Sequence, residues 1–291
     1  MHTLDRVRRA ILAWYAAEHR DFPWRGTSDP YAVLVSEVML QQTQASRVAE
    51  RFPRFMARFP TAEALAATSA AEVLAEWSGL GYNRRAIALQ RTARHVTQEG
   101  WPRDVAGLER LPGVGPYTAR AIASLCFGTR VGVVDTNVRR WLLRRFDVAD
   151  RPHDLQVLAD ALAAAGRADH EQTPAWTHAT MEFGASICTS RAPRCGACPV
   201  ARGCPSRPAP ARIPVARQAA FAGSTRAHRG AILRALAAAP DQALAVAALP
   251  PVHSAAEREV LLDRLERDGL VHRSGGMVAL GSRPDRQEPV T

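Results

Sequence analysis

Apolar positions recur at helical spacing through the first two hundred residues. Leu4, Val7, Ile11, Trp14 and Tyr15 share one face of a helix predicted over Leu4–Glu18. Asp21-Phe22-Pro23-Trp24-Arg25 then reads as an extended link, and Asp29-Pro30 as an N-cap followed by a first-turn proline. The pattern predicts helices over Tyr31 to about Gln44, Ser46–Arg58, Ala62–Ala67, Ala70–Trp77, Arg84–Gln98 and Asp104–Arg110. Others begin at Pro116, follow Asp135 as far as Phe146, and cover His153–Ala164 and Thr173–Ile187. No strand-like alternation interrupts this region, so it reads as all-α.

The pattern changes after Ser206. Residues 209–223 are rich in Pro, Arg and Ala and read as a linker. Ala227–Ala239 and Ser254–Asp268 are predicted helices, with a short one between them at Gln242–Ala248. Leu270–Arg273 should pair with Met277–Leu280 around Ser274-Gly275-Gly276, so that residues 224–283 form a small winged-helix-like unit. Residues 284–291 read as a disordered tail.

Composition narrows the function. The chain of 291 residues carries a formal charge of +10, which favours a polyanionic partner; a merely soluble basic protein would have the same balance. No run of about 20 apolar residues predicts a membrane span, and the N-terminus has charges where a signal peptide would be apolar. All 38 basic residues are arginine, so no lysine can form a Schiff base.

Two stretches carry candidate chemistry. The first, Leu111-Pro112-Gly113-Val114-Gly115, is a turn that feeds the helix starting at Pro116. Its glycines allow close backbone approach, and its N–H groups sit at the positive end of a helix, a geometry suited to phosphate. Twenty residues beyond Gly115, an apolar run ends on Asp135, Thr136 and Asn137; taken alone, such an aspartate is often only a helix cap. The second stretch centres on Glu37, set among Val33, Leu34, Val38 and Met39. An acid there should hold its proton to unusually high pH, although a lone Glu more often lies on a solvated stripe. Gln41, Gln42, Thr43 and Gln44 follow as a polar run suited to base edges, with Gln41 and Gln44 on the side of Glu37.

Cys188, Cys195, Cys198 and Cys204 are spaced C-x6-C-x2-C-x5-C. Four thiolates in so tight a loop suit an iron–sulfur cluster, and a structural zinc would accept the same donors. Cys126, on an apolar helix face, reads as a core residue.

From about Trp14 to Pro205 the chain resembles the helix-hairpin-helix DNA glycosylases of the endonuclease III superfamily, and among them the MutY-type adenine glycosylases. The resemblance rests on PWR at Pro23–Arg25, SEVMLQQTQ at Ser36–Gln44, GLGY at Gly79–Tyr82 and LPGVGPYTA at Leu111–Ala119. It continues through VVDTNVRR at Val133–Arg140, MEFGASIC at Met181–Cys188 and the cysteine loop. It implies an all-α, two-lobed fold over residues 1–208: a six-helix domain at about 26–133 with the hairpin, and a cluster domain of 1–25 plus 134–208. It also implies a [4Fe–4S] cluster on the four cysteines and double-stranded DNA as partner, with a target base flipped into a pocket between the lobes.

By motif position Glu37 would protonate adenine N7 and then activate water. Asp135 would stay ionised beside the sugar C1′, with Tyr117 and Asn137 in support. Trp24, Arg25, Leu40 and Glu182 would line the adenine pocket, with Gln41 and Thr43 counted among the substrate contacts. Gln42 would wedge into the base stack and Tyr82 would contact the opposite strand. Strand-cleaving relatives carry a catalytic lysine where this chain has Tyr117, so the expected enzyme is monofunctional, a cytoplasmic, nucleoid-associated monomer that excises adenine opposite 8-oxoguanine or guanine. Two departures stand out: Thr136 replaces the usual glycine, and the tail is too short for the Nudix-like domain that checks for 8-oxoguanine. Alternative functions are a thymine or uracil mismatch glycosylase and a non-catalytic DNA-binding iron–sulfur protein.

Overall fold

The computed structural model describes residues 2–166, 172–207, 209, 221 and 223–282. Most of the expected linker and the tail at 284–291 lie outside the described residues. The chain forms two compact units, Met1–Glu37 with Trp101–Ala216, and Val38–Gly100 with Arg217–Thr291. Among the described residues no helix is long and apolar enough to cross a membrane.

The first unit contains α1 (His2–Glu18), most of α2 (Pro30–Leu40), α7 (Val105–Glu109), α8 (Pro116–Phe127), α9 (Thr136–Phe146), α10 (Pro152–Ala164) and α11 (Gln172–Ser186). Its core joins α1, α9, α10 and α11 through Ile11, Trp141, Leu142, Leu162 and Phe183. Phe183 takes the edges or faces of Trp14 and Trp141, each ring centroid 5.7 Å away in a T-shaped arrangement. Two glycines let backbones approach: a Cβ on Gly132 would meet Ala159 at 2.4 Å, and one on Gly184 would meet the Asn137 carbonyl oxygen at 2.6 Å. The second of these contacts seats α11 against the start of α9.

Local rules set the helix starts. Asp29 accepts from the N–H groups of Tyr31 (3.0 Å) and Ala32 (3.3 Å), and Pro30 supplies the first turn of α2. Asp104 caps α7 through Gly107 N–H at 2.8 Å. Gly113, at φ +75°, makes the turn between α7 and α8, and Gly128, at φ +66°, closes α8.

The second unit holds α3 (Ala45–Arg58), α4 (Ala62–Ala67), α5 (Ala70–Glu76) and α6 (Arg84–Glu99), with the C-terminal elements α12 (Thr225–Ala238), β1 (Ala243–Ala245), α13 (Ala255–Arg267), β2 (Val271–Ser274) and β3 (Met277–Leu280). Phe55, Phe59 and Trp77 form an edge-to-face cluster, and Gln90 satisfies the Leu65 and Thr68 carbonyls at 3.3 and 2.6 Å. The sheet is antiparallel in the order β1-β3-β2, with Val271 opposite Leu280 and Ala243 opposite Ala279. The C-terminal elements pack on α5, where a Cβ on Gly281 would meet the Ala71 nitrogen at 2.9 Å.

Two expectations need correction. Residues 242–248 were expected to be helical, but Ala243–Ala245 pair with β3 between two short 3-10 turns, because edge pairing outweighs alanine's helical preference. The helix carrying Glu37 ends at Leu40, not Gln44. Gln42 adopts φ +56°, and the Arg85 guanidinium takes the orphaned carbonyls of Val38 (2.6 Å), Met39 (3.3 Å) and Gln41. Gln41 and Gln44 therefore do not continue the helical face of Glu37.

Candidate active site

Three segments bring their polar groups together in the first unit. Glu37 comes from the apolar helix α2 and is 5% exposed. Tyr117 sits in the first turn of α8, where the hairpin turn and Pro116 fix the start of the helix. Asp135 is the N-cap of α9, its Oδ1 accepting from Val138 N–H at 2.6 Å. The cap role is real, and the same carboxylate is also close enough to Glu37 to act on its charge.

Burial pushes the Glu37 carboxyl up from 4.5 to about 7; a hydrogen bond from Tyr117 opposes the rise and the charge of Asp135 adds to it. The Tyr117 hydroxyl is held well above 10, first by burial and then by the two acids, so it stays a donor. It also lies 3.6 Å from Met181 Sδ on α11. Burial raises Asp135 as well. There the Val138 N–H, the side chain and backbone of Asn137 and the positive charge of Arg140 all favour the anion. Two acids thus share one site, Glu37 with the Tyr117 hydroxyl as its donor and Asp135 with Val138, Asn137 and the charge of Arg140 favouring its anion.

Asn137 is oriented from behind. Its Nδ2 donates to Asp135 Oδ2 at 2.7 Å while its Oδ1 accepts from Arg140 Nη2 at 2.9 Å. Arg140 is buried, and its Nε donates to the Cys188 carbonyl at 2.8 Å. The sequence places Arg140 and Met181 in the VVDTNVRR and MEFGASIC motifs without marking either as a site residue, and nothing local marks Arg85.

Glu182, 2% exposed, is bound by Arg20 Nε at 2.5 Å and Arg25 Nη2 at 2.6 Å. Burial favours its neutral form, but the two arginines outweigh it and hold the carboxyl below its ordinary value. Trp24 is buried and stacks on Phe22, with centroids 4.8 Å apart and rings 6° from parallel. Trp24, Arg25 and Glu182 thus form one aromatic and ionic cluster in the first unit. His178 lies near it, neutral at ordinary pH because burial, then Arg25, pull it down to about 4.

The remaining predicted contacts belong to the second unit. Leu40 ends α2, Gln42 is exposed at the tip of the following turn, and Thr43 Oγ1 donates to the Gln41 carbonyl at 3.2 Å. Tyr82 is 44% exposed at φ +49°, with the Arg85 guanidinium 5.5 Å from its ring. In the first unit the hairpin turn leaves Gly113 and Gly115 exposed, and nothing lies within 4 Å of a Cβ placed on Gly115, so its backbone is approachable; Leu111 and Val114 are buried beneath, and Pro112 is half-buried.

A search of family models matches residues 35–164 to the HhH-GPD superfamily of base excision DNA repair proteins. The adenine DNA glycosylase of Mycobacterium tuberculosis is 43% identical over 280 residues, covering 91% of this chain and 90% of the relative. This chain belongs to the adenine DNA glycosylases. The enzyme of Mycolicibacterium smegmatis is 42% identical over 292 residues, covering 96% of this chain and 97% of the relative, so the likeness includes the C-terminal unit. Among solved structures, a thermostable thymine-DNA glycosylase superposes with a TM-score of 0.65 at 30% identity, covering 71% of this chain and 98% of that one.

In this glycosylase the four loop cysteines are unpaired and line one cavity, with Arg144, Ile187 and Pro193 among its walls. Arg144 Nη1 points at Cys188 Sγ (3.6 Å), and the Arg144 carbonyl lies 3.5 Å from Cys204 Sγ. Burial pushes the Cys188 thiol up, and the Arg144 and Arg140 guanidiniums oppose that rise by favouring the thiolate. Four free thiols around one cavity are a donor set that fits an iron–sulfur cluster, and a single zinc would accept the same donors. Cys126 stands apart, half-buried on α8, its thiol pushed up to about 12 by burial.

Proposed function

We propose that this adenine DNA glycosylase excises adenine mispaired with 8-oxoguanine or guanine in double-stranded DNA, hydrolytically, leaving an abasic site. The observation that carries the proposal is the pairing of Glu37 with Asp135 around the Tyr117 hydroxyl: near neutrality one acid keeps a proton to give, while the other is surrounded by groups that favour its anion. Glu37 donates to adenine N7, so the base leaves neutral. Asp135, aligned by Asn137 and the Val138 N–H, stabilises the positive charge developing at C1′. Glu37, now ionised, takes a proton from the water that completes the cleavage.

Trp24, Arg25 and Glu182 are the adenine-facing cluster of the first unit in this reading. Leu40, Gln41, Gln42, Thr43 and Tyr82 contact the DNA from the second, with Gln42 and Tyr82 exposed for it. The turn Leu111–Gly115 offers N–H groups to a backbone phosphate. Cys188, Cys195, Cys198 and Cys204 hold a [4Fe–4S] cluster that orders their loop, and the excision chemistry runs on the two carboxyl groups. Absence of lysine, with Tyr117 in the hairpin helix, makes the enzyme monofunctional. It works as a monomer in the cytoplasm, at the nucleoid.

The test offers the purified protein A·8-oxoG, A·G, T·G and U·G duplexes. Adenine release without strand cleavage is expected from the first two. Release only from T·G or U·G would overturn the specificity, and borohydride-trapped adducts with nicked strands would overturn the monofunctional chemistry.

A further inference from the structure

Away from the glycosylase chemistry, three side chains of the C-terminal elements converge. His228 lies in the first turns of α12, His253 directly precedes the Ser254 cap of α13, and Glu257 occupies that helix's first turn. One ligand atom from each falls within a set whose members all lie within 4.8 Å of one another. It is the only such set of His, Cys, Asp or Glu among the described residues.

The contacts within the set are poor as hydrogen bonds and good as a ligand set. His228 Nδ1 is buried and has no hydrogen-bond partner, although Glu257 Oε1 is 3.4 Å away. Zinc binds imidazole nitrogen at about 2.0–2.1 Å and carboxylate oxygen at about 2.0–2.2 Å, and a tetrahedral angle then separates N from O by about 3.4 Å. His253 Nε2 lies 3.4 Å from the Gly223 carbonyl, the kind of support that orients a ligating imidazole and leaves Nδ1 as its lone-pair donor. The two rings meet edge to face, 4.7 Å between centroids. Two imidazoles and one carboxylate suit a borderline dication and not magnesium or calcium, which take oxygen donors. Since His253 is exposed, water can complete the coordination from that side.

We propose that His228, His253 and Glu257 form a zinc-class site that fastens the start of α12 to the start of α13. The test uses the full chain, stripped of loosely held metal by chelation and titrated with Zn2+ and separately with Co2+. Expected are one tightly bound zinc per chain beyond any taken by the cysteine loop, a Co2+ ligand-field absorption in the visible, and a higher melting temperature on adding zinc. Both His253→Ala, at an exposed position, and Glu257→Gln, close in shape to the original, should weaken that site by more than about 100-fold and abolish the Co2+ band. Equal zinc binding by the wild type and both variants, or no zinc bound by the wild type, would overturn the proposal.

Discussion

Replacing Glu37 by glutamine should make the protein more stable while removing its activity, and the gain should depend on pH. In the unfolded chain Glu37 loses its proton near 4.5; in the fold it keeps it to about 7. Below 4.5 both states are protonated and burial of the acid carries no charge penalty. Between those values the folded state binds the extra proton, so stability falls as pH rises, and above about 7 the full cost of a buried anion is present. At about 1.4 kcal/mol for each pH unit, that cost is about 3 kcal/mol. Glutamine keeps the shape and has no proton to lose. Thermal unfolding of both proteins near about pH 4.5 and about pH 8 checks this: the gap should be small in acid and open to roughly 6–12 °C in base, taking about 2–4 °C per kcal/mol. A gap that does not change with pH, or a variant less stable at the higher pH, would refute the assignment of Glu37 as a buried acid holding its proton.

Tyr117→Phe removes the donor that keeps Glu37 from rising further; the alkaline limb of the excision-rate profile should move to higher pH, and a shift to lower pH or none would count against the contact. Asp135→Asn should be nearly inactive. Asp135→Ala should be inactive and also about 1 kcal/mol less stable in denaturant titration, since it uncaps α9. Arg85→Ala leaves the carbonyls of Val38, Met39 and Gln41 without their donor, and a loss of about 1–3 kcal/mol in the same assay is expected.

The sequence foretold the parts that local chemistry decides. The Asp29 and Asp135 caps, the proline start of α8 and the β2–β3 hairpin each follow from residues a few positions apart. An apolar helix singled out Glu37 and a cap position Asp135 as candidates, and the roles proposed for them follow from motif position in the family resemblance. Other features depend on partners distant in sequence. The end of α2 is settled by Arg85, more than forty residues on, and the strand at Ala243–Ala245 by β3. The orientation of Asn137 depends on Arg140, whose own anchors lie on α11 and at Cys188.

Arg85 has one more effect. Its guanidinium also reaches the Leu80 and Gly81 carbonyls, at 3.3 and 3.0 Å, so a single planar cation rivets the turn bearing Gln42 to the turn bearing Tyr82. Both residues already hold the left-handed backbone that most side chains avoid. Both turns are therefore fixed in the free protein, and in the proposed reading, where Gln42 and Tyr82 meet the duplex, they have little ordering entropy left to lose on contact. Lysine, with a point charge and no planar fork, could not span the same carbonyls. In a chain without lysine, the clamp between these two turns is built from the residue best shaped to hold it.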